Sequence, residues 1–63
     1  MTEKELAELK RRYENQLVFV VIEDDYHPIA AKGRVNFVDD AGQLHGTWGS
    51  LAAVPGVDRI ELL

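Results

Sequence analysis

Two adjacent carboxylates, Asp39 and Asp40, stand close in the chain to the imidazole of His45, in the segment VDDAGQLHGTW, residues 38–48. Such a group could in principle hold a divalent cation or exchange protons with a substrate. A calcium or magnesium site needs several further oxygen ligands, and the segment lacks the spacing of a calcium-binding loop. Asp followed by Gly42 between alternating apolar residues is instead typical of a β-hairpin turn. We therefore predict that the aspartates shape a turn.

The two histidines are the other candidate ligands, and their spacing does not indicate a metal centre. His27 and His45 are far apart in the sequence, no short His-x-x-x-His pattern occurs, and the chain has no cysteine. We expect both imidazoles to be exposed or at the edge of the fold, with no metal site and no cofactor.

No hydroxyl side chain has the sequence context of a catalytic nucleophile. Ser50, Thr2 and Thr47 lie outside any G-x-S-x-G motif. The segment GTWGS, residues 46–50, lacks the lysine and the strand-to-helix setting of a phosphate-binding loop. A domain of this length also has little room for a buried cleft. The sequence predicts a protein that is not an enzyme and has no catalytic residues.

Composition narrows the class of partner and the compartment. Eleven Asp and Glu against seven Lys and Arg give a net charge of −4, which disfavours direct binding to a nucleic-acid backbone. We expect a protein partner with a basic surface instead.

No apolar run is long enough for a transmembrane helix, and the charged N-terminal segment does not resemble a signal peptide. The lack of cysteine fits a reducing cytoplasm, so we expect a cytoplasmic protein without membrane association.

A helix is predicted at the N-terminus, within residues 1–14. Thr2 and Glu5 have the spacing of a capping box, and acidic residues come early while basic residues come late. One narrow apolar stripe follows from the helical period, and it comprises Leu6, Leu9 and Tyr13. We expect this helix to lie on the surface of another element.

The run LVFVVI, residues 17–22, is rich in β-branched and aromatic residues and predicts a strand. Both faces of this strand are apolar. We expect the face that turns to the core to be Leu17, Phe19 and Val21. The helix is the simplest cover for the opposite face, which consists of Val18, Val20 and Ile22. If the helix left that face bare, a symmetric homodimer would bury it.

A β-hairpin is predicted over residues 33–48, after an acidic loop over residues 23–32. Its first strand, residues 33–38, should place two apolar side chains on one face, Val35 and Phe37. Its second strand, residues 43–48, should place three residues on one face, Leu44, Gly46 and Trp48. A type I turn that ends with Gly42 at positive φ should connect the two strands.

The remaining segments complete the prediction of a small barrel. In order they are a turn at 49–50, a short strand at 51–54, a 3₁₀ turn at 55–58 and a last strand at 59–63 with Ile60 and Leu62 inward. Five short strands suggest a small, strongly bent sheet closed into a barrel. By analogy with known folds, the long loop after the first strand and the 3₁₀ turn before the fifth are the layout of an SH3-like barrel. We predict a mainly β single domain over residues 1–63, with the N-terminal α-helix followed by a five-stranded SH3-like barrel over residues 16–63.

Three segments, DDYHPI, KGRVNFVDDAGQLHGTW and SLAAVPGVD, resemble a family of small uncharacterised domains that is common in bacteriophages and mobile elements. The resemblance covers residues 17–63. Family members typically have a Pro-Pro-Gly-Thr run before the hairpin and a Trp-Asp-Asn-Gly turn after it, where this chain has AAKG and WGS. The resemblance implies a barrel of phage or mobile-element origin that acts in a bacterial host cell. It brings no established activity and no catalytic residues.

The acidic loop and the aromatic residues carry the functional prediction. In peptide-binding SH3 domains a long acidic loop, a tryptophan and a proline line one groove, and Pro55 would supply the proline here. The predicted partner-binding residues are Asp24, Asp25, Tyr26, His27 and Trp48. The 55–58 segment lacks the tyrosine of those domains, which weakens the case for polyproline recognition. Two structural alternatives stay open: the acidic run could be a solvated loop, and Trp48 could belong to the core.

The sequence thus predicts a small non-catalytic binding module that binds, and could inhibit, a host protein through its acidic loop. A first alternative is a nucleotide or small-ligand binder in which Trp48 or Tyr26 stacks on a base. Its weakness is the short supply of cations for phosphate in the barrel region, which are Lys32, Arg34 and Arg59. A second alternative is a structural homo-oligomer.

Overall fold

One helix precedes five β-strands in the computed structural model, which describes all residues, 1–63. The helix is α1 (Glu3–Tyr13), and the strands are β1 (Leu17–Ile22), β2 (Ile29–Val38), β3 (Leu44–Gly46), β4 (Gly49–Ala53) and β5 (Arg59–Leu62). Neighbouring strands are antiparallel and form one sheet in the order β4-β3-β2-β1-β5. The predicted mainly β fold with an N-terminal helix is confirmed. The sheet is open, because its edge strands β4 and β5 are not hydrogen-bonded to each other.

A capping box begins α1, as predicted. The Thr2 hydroxyl oxygen accepts a hydrogen bond from the Glu5 backbone N–H at 3.1 Å, and the Glu5 carboxylate accepts one from the Thr2 backbone N–H at 3.2 Å. The Thr2 backbone N–H, and then the Thr2 hydroxyl, which donates to the same carboxylate oxygen at 3.0 Å, lower the pKa of the Glu5 carboxyl. The helix starts here because two N–H groups that have no partner within the helix are satisfied.

The end of α1 is fastened directly to β2. Asn15 adopts a left-handed backbone with φ of 65°, which turns the chain away from the helix axis. Its N–H donates to the Val35 carbonyl at 2.8 Å, and the Val35 N–H donates to the Gln16 carbonyl at 2.9 Å. The Glu14 carboxylate also accepts a hydrogen bond from the Val38 N–H at 3.1 Å. The helix therefore lies against the sheet through backbone bonds as well as apolar contacts.

The core lies on one face of the sheet only. Its buried side chains are Val18, Val20, Ile22, Val35, Val38, Leu44 and Ala53, and the partly buried helix residues packed against them are Leu6, Leu9 and Tyr13. The predicted orientation of β1 is wrong: Leu17 is 50% exposed, and Phe19 and Val21 are only half-buried. The Val18 face is interior and α1 packs against the same core, so the condition on which a homodimer at this face was expected is not met.

A β-bulge changes the predicted face assignment of β2. The pairing with β3 shifts register between Val35 and Phe37. Because the extra residue breaks the alternation, Val35 and Val38 are both buried while Phe37 is 49% exposed. The prediction that Val35 and Phe37 share a face is therefore wrong. β2 also begins at Ile29, so the preceding loop covers residues 23–28 and is shorter than predicted.

The hairpin turn between β2 and β3 is confirmed. Gly42 has φ of 80°, its N–H donates to the Asp39 carbonyl at 2.9 Å, and the Asp39 N–H donates to the Gln43 carbonyl at 2.9 Å.

A second turn lies at Thr47 and Trp48 between the paired residues Gly46 and Gly49, earlier than the predicted position at 49–50. The Thr47 hydroxyl oxygen accepts a hydrogen bond from the Arg34 N–H at 2.9 Å, which holds that turn against β2.

A third turn leads into β5. The N–H groups of Val57 and Asp58 donate to the Val54 carbonyl, and the Asp58 carboxylate accepts from the Val54 N–H at 2.8 Å. In β5, Ile60 packs against the core as predicted, whereas Leu62 is 47% exposed although it shares that face.

The single helix, α1, is too short and too polar to cross a membrane.

Candidate functional site

The loop of residues 23–28, here called the acidic loop, joins β1 to β2 and is shaped by Asp24. One oxygen of the Asp24 carboxylate accepts hydrogen bonds from the Tyr26 N–H at 2.8 Å and the His27 N–H at 3.2 Å. The Tyr26 N–H, and then the His27 N–H, lower the pKa of the Asp24 carboxyl. Asp24 therefore acts first as a loop-forming residue, through a short-range turn that Asp favours.

The other predicted residues of the acidic loop are displayed to solvent. The Tyr26 side chain is 86% exposed, and Asp25 and His27 are also exposed. A tyrosine presents a large surface with few rotatable bonds, and its hydroxyl can donate or accept a hydrogen bond. The structure thus brings a carboxylate, a phenol and an imidazole together on one short, hydrogen-bonded loop.

Trp48 is half-buried, in contrast to the exposed Tyr26 of the acidic loop. Its ring packs against the core, and its indole N–H donates to the Leu51 carbonyl at 2.8 Å. A Cβ at Gly46 would lie 2.2 Å from a ring carbon of Trp48, so only glycine permits this close approach. The indole therefore has its polar atom satisfied and much of its surface covered within the chain.

Pro55, the proline predicted to line the groove, lies beside α1. Pro55 borders a shallow groove against α1, together with Leu9 and Arg12. A second shallow groove begins at Glu23, the first residue of the acidic loop, and runs to Val57. Neither groove is lined by Tyr26 or Trp48, and a single groove shared by the loop, the tryptophan and the proline stays a prediction.

A hydrogen-bonded cluster occupies the hairpin turn that the sequence suggested for Asp39. One oxygen of its carboxylate accepts from the N–H groups of Ala41 at 3.0 Å and Gln43 at 2.9 Å. The other oxygen lies 2.8 Å from Nε2 of His45. The His45 contact, followed by the Gln43 N–H, lowers the pKa of the Asp39 carboxyl. Asp39 thus has the predicted turn role, while Asp40 is exposed.

An aromatic stack beside this turn was not predicted. The rings of Phe37 and His45 lie 4.6 Å apart between centroids and 9° from parallel. The bulge in β2 places Phe37 opposite His45, and a bulge leaves no clear sign in a single sequence. Neither His45 nor His27 belongs to a group of three or more side chains that could hold a metal ion.

Fold and loop together define a small, mainly β domain that presents an exposed acidic loop. The chain belongs to the family described as a domain of unknown function, DUF4314, whose family model matches residues 2–63. This membership confirms the resemblance to a family of uncharacterised domains and extends it over the N-terminal helix. No curated protein and no solved structure matches the chain.

Proposed function

We propose that this protein is a non-catalytic binding module that holds a protein partner with a basic surface through its acidic loop. The observation that carries the proposal is the 86% exposure of Tyr26 on a loop whose backbone is fixed by the Asp24 carboxylate. A tyrosine side chain has only two χ angles and so loses little conformational freedom on binding, and tyrosine is enriched among residues that dominate interface energies.

The distribution of charge supports a basic partner. Residues 1–14 carry four acidic and four basic side chains, whereas residues 15–63 carry seven acidic and three basic ones. Two of those three cations are engaged within the chain: the Arg34 guanidinium donates to the Asn15 carbonyl and that of Arg59 to the Glu61 carboxylate. The sheet region therefore presents an acidic surface, which attracts and orients a basic one.

The strand order supports the finer proposal of an SH3-like barrel. The order β4-β3-β2-β1-β5, a long β2 that pairs on both sides, and a turn just before β5 are all expected for that architecture. Because the sequence resembles small domains that are common in bacteriophages and mobile elements, we further propose that this is a phage or mobile-element protein. It would act in the bacterial cytoplasm by occupying a surface of a host protein.

The nucleotide-binding alternative has less support. Trp48 is packed against the core and its indole N–H is already bonded, so Tyr26 is the only stacking ring left from that hypothesis. Phosphate groups would require cations, and the internal bonds of Arg34 and Arg59 compete with such a role.

Affinity capture from a host lysate with matched variants tests the proposal. Asp25→Lys and Tyr26→Ala change the exposed part of the acidic loop and leave Asp24 in place. We expect both to lose the basic proteins that the wild type enriches, and we expect that enrichment to weaken as salt rises.

Two controls change equivalent side chains elsewhere on the surface. Asp40→Lys makes the same charge change in the hairpin turn, and Phe37→Ala removes an aromatic ring that is 49% exposed. Both controls should capture the wild-type set of proteins. Retention of that set by the two acidic-loop variants would refute the proposed surface.

A further inference from the structure

The edge of the sheet at β5 has backbone groups without a partner. β5 has one neighbour, β1, and the Leu63 N–H donates to the Leu17 carbonyl at 3.0 Å. In an antiparallel pair, the residues that bond to one neighbour alternate along the strand. The backbone N–H and C=O groups directed towards β1 are therefore those of Arg59, Glu61 and Leu63. The N–H and C=O groups of Ile60 and Leu62 are directed away from the sheet.

The side chains along this edge are arranged for self-recognition. Arg59 and Glu61 lie on the outer face, where the Arg59 guanidinium donates to the Glu61 carboxylate of its own chain, and 66% and 49% of their side chains stay exposed to a second copy. Ile60 and the 47% exposed Leu62 lie on the face that carries the core. The β1–β5 pairing is regular and β5 has no proline or bulge, so its outward backbone groups are open to a further strand, and the two charges on this four-residue strand restrict which strand can pair with it.

We propose that the occupant of this edge is a second copy of the chain, bound by antiparallel pairing of the two β5 strands about a two-fold axis. With Ile60 opposite Ile60 of the second copy, the outward backbone groups of both strands meet. Arg59 of each copy then lies opposite Glu61 of the other. Those positions are non-hydrogen-bonded pairs, where facing side chains come closest.

The charges of Arg59 and Glu61 favour this register of the β5–β5 pair over the two adjacent registers. A shift to the next register with matched backbone groups places Glu61 opposite Glu61 in one direction and Arg59 opposite Arg59 in the other. Like charges directly opposite each other destabilise a strand pair. The selected register also brings the exposed Leu63 of each copy towards Val57 of the other, and Val57 is 80% exposed. The dimer would thus join the two sheets and cover apolar surface that the monomer exposes.

Charge reversal at the two positions tests this dimer without reference to the acidic loop. Arg59→Glu and Glu61→Arg each place like charges opposite each other in both pairs of the homodimer. We expect each to raise the dimer dissociation constant at least about tenfold. An equimolar mixture of the two variants restores both opposite-charge pairs, so a heterodimer should form. The readouts are light scattering on a sizing column and native mass spectrometry, with circular dichroism to show that each variant is folded.

Three outcomes would overturn the proposal. The first is a wild-type chain that stays monomeric up to about 1 mM. The second is a wild-type dimer that both single variants keep with unchanged affinity, which would place the interface elsewhere. The third is an assembly larger than a dimer, as expected if β5 paired with β4 of the next copy. A wild-type dimer, two weakened variants and a restored heterodimer would together establish the β5 interface.

Discussion

At the scale of single residues, acidic side chains in this protein divide into those that build loops and those that face solvent. Asp24 and Asp39 each accept two backbone N–H groups with one carboxylate oxygen. Asp25 and Asp40 follow them directly in the chain and are exposed. Each pair of adjacent aspartates thus contains one structural residue and one residue that is available to a partner. For this reason Asp25, rather than Asp24, is the informative residue for binding.

The carboxylate of Asp39 should make stability depend on acidity. Its contacts lower the pKa from the ordinary value of 3.8, so the unfolded chain takes up this proton at a higher pH than the folded chain. Its stabilising contribution is present above the unfolded value and is lost as the pH falls through the lowered pKa. Asp39→Asn should therefore be less stable than the wild type at about pH 7, and the difference should shrink as the pH falls below 3.8.

Urea unfolding along an acid series measures this difference. Asp40→Asn, which removes the same charge from the neighbouring exposed position, is the matched control. If the free-energy gap between wild type and Asp39→Asn stayed constant through the acid series, the assigned role of the Asp39 carboxylate would be wrong.

Gly46 is the residue on which the placement of Trp48 depends. A Cβ at this position would lie 2.2 Å from the Trp48 ring and 2.5 Å from the Arg34 carbonyl oxygen. Gly46→Ala should destabilise the fold by about 1–3 kcal/mol, because the indole has to move away. Its tryptophan fluorescence should shift to the red as the ring becomes more exposed. Ser50→Ala, an exposed neighbour in β4, should change neither property, and an unshifted spectrum for Gly46→Ala would contradict the observed packing.

At the scale of elements, local signals in the sequence predict where most elements lie. The capping box at Thr2 and Glu5 marks the start of α1, and the unbroken apolar run predicts the bounds of β1, Leu17–Ile22. Turn residues predict the hairpin that ends with Gly42 at positive φ. These elements are predictable because neighbours in the chain determine them.

Orientation and register are not predictable in the same way. Both faces of β1 are apolar, so alternation cannot distinguish Val20, which is buried, from Phe19, which is half-buried. The sheet and helix together decide which face forms the core. The bulge before Phe37 is likewise a property of strand pairing. In the candidate site, the run of acidic residues identifies the acidic loop, but the packing of Trp48 depends on its close approach to Gly33 in β2 and Gly46 in β3.

Paired substitutions in β1 test the orientation directly. Val20 is fully buried, and Val20→Ala should lower the free energy of unfolding by about 2 kcal/mol through lost burial and a residual cavity. Phe19→Ala removes a larger side chain from the outer face and should cost less than Val20→Ala. Urea unfolding of both variants gives the comparison, and a larger loss for Phe19→Ala would show that the faces are assigned the wrong way round.

At the scale of the whole molecule, the chain has one small core and leaves apolar and acidic groups on its surface. Seven side chains form the buried cluster, and the outer surface keeps exposed side chains such as Leu17 and Tyr26. A core this small leaves modest stability, which binding to another chain would increase. We propose a use for two such regions: contact with a protein partner for Tyr26 on the acidic loop, and contact with a second copy for the β5 edge.

The most direct test of the binding proposal is an amide NMR titration of the isotopically labelled protein with a captured basic partner. We predict that the largest chemical-shift changes will fall in the acidic loop, on Asp25, Tyr26 and His27, and that Tyr26→Ala will abolish them. Changes confined to the hairpin turn at residues 39–43, or to the groove between α1 and Pro55, with the acidic loop unaffected, would contradict the proposal.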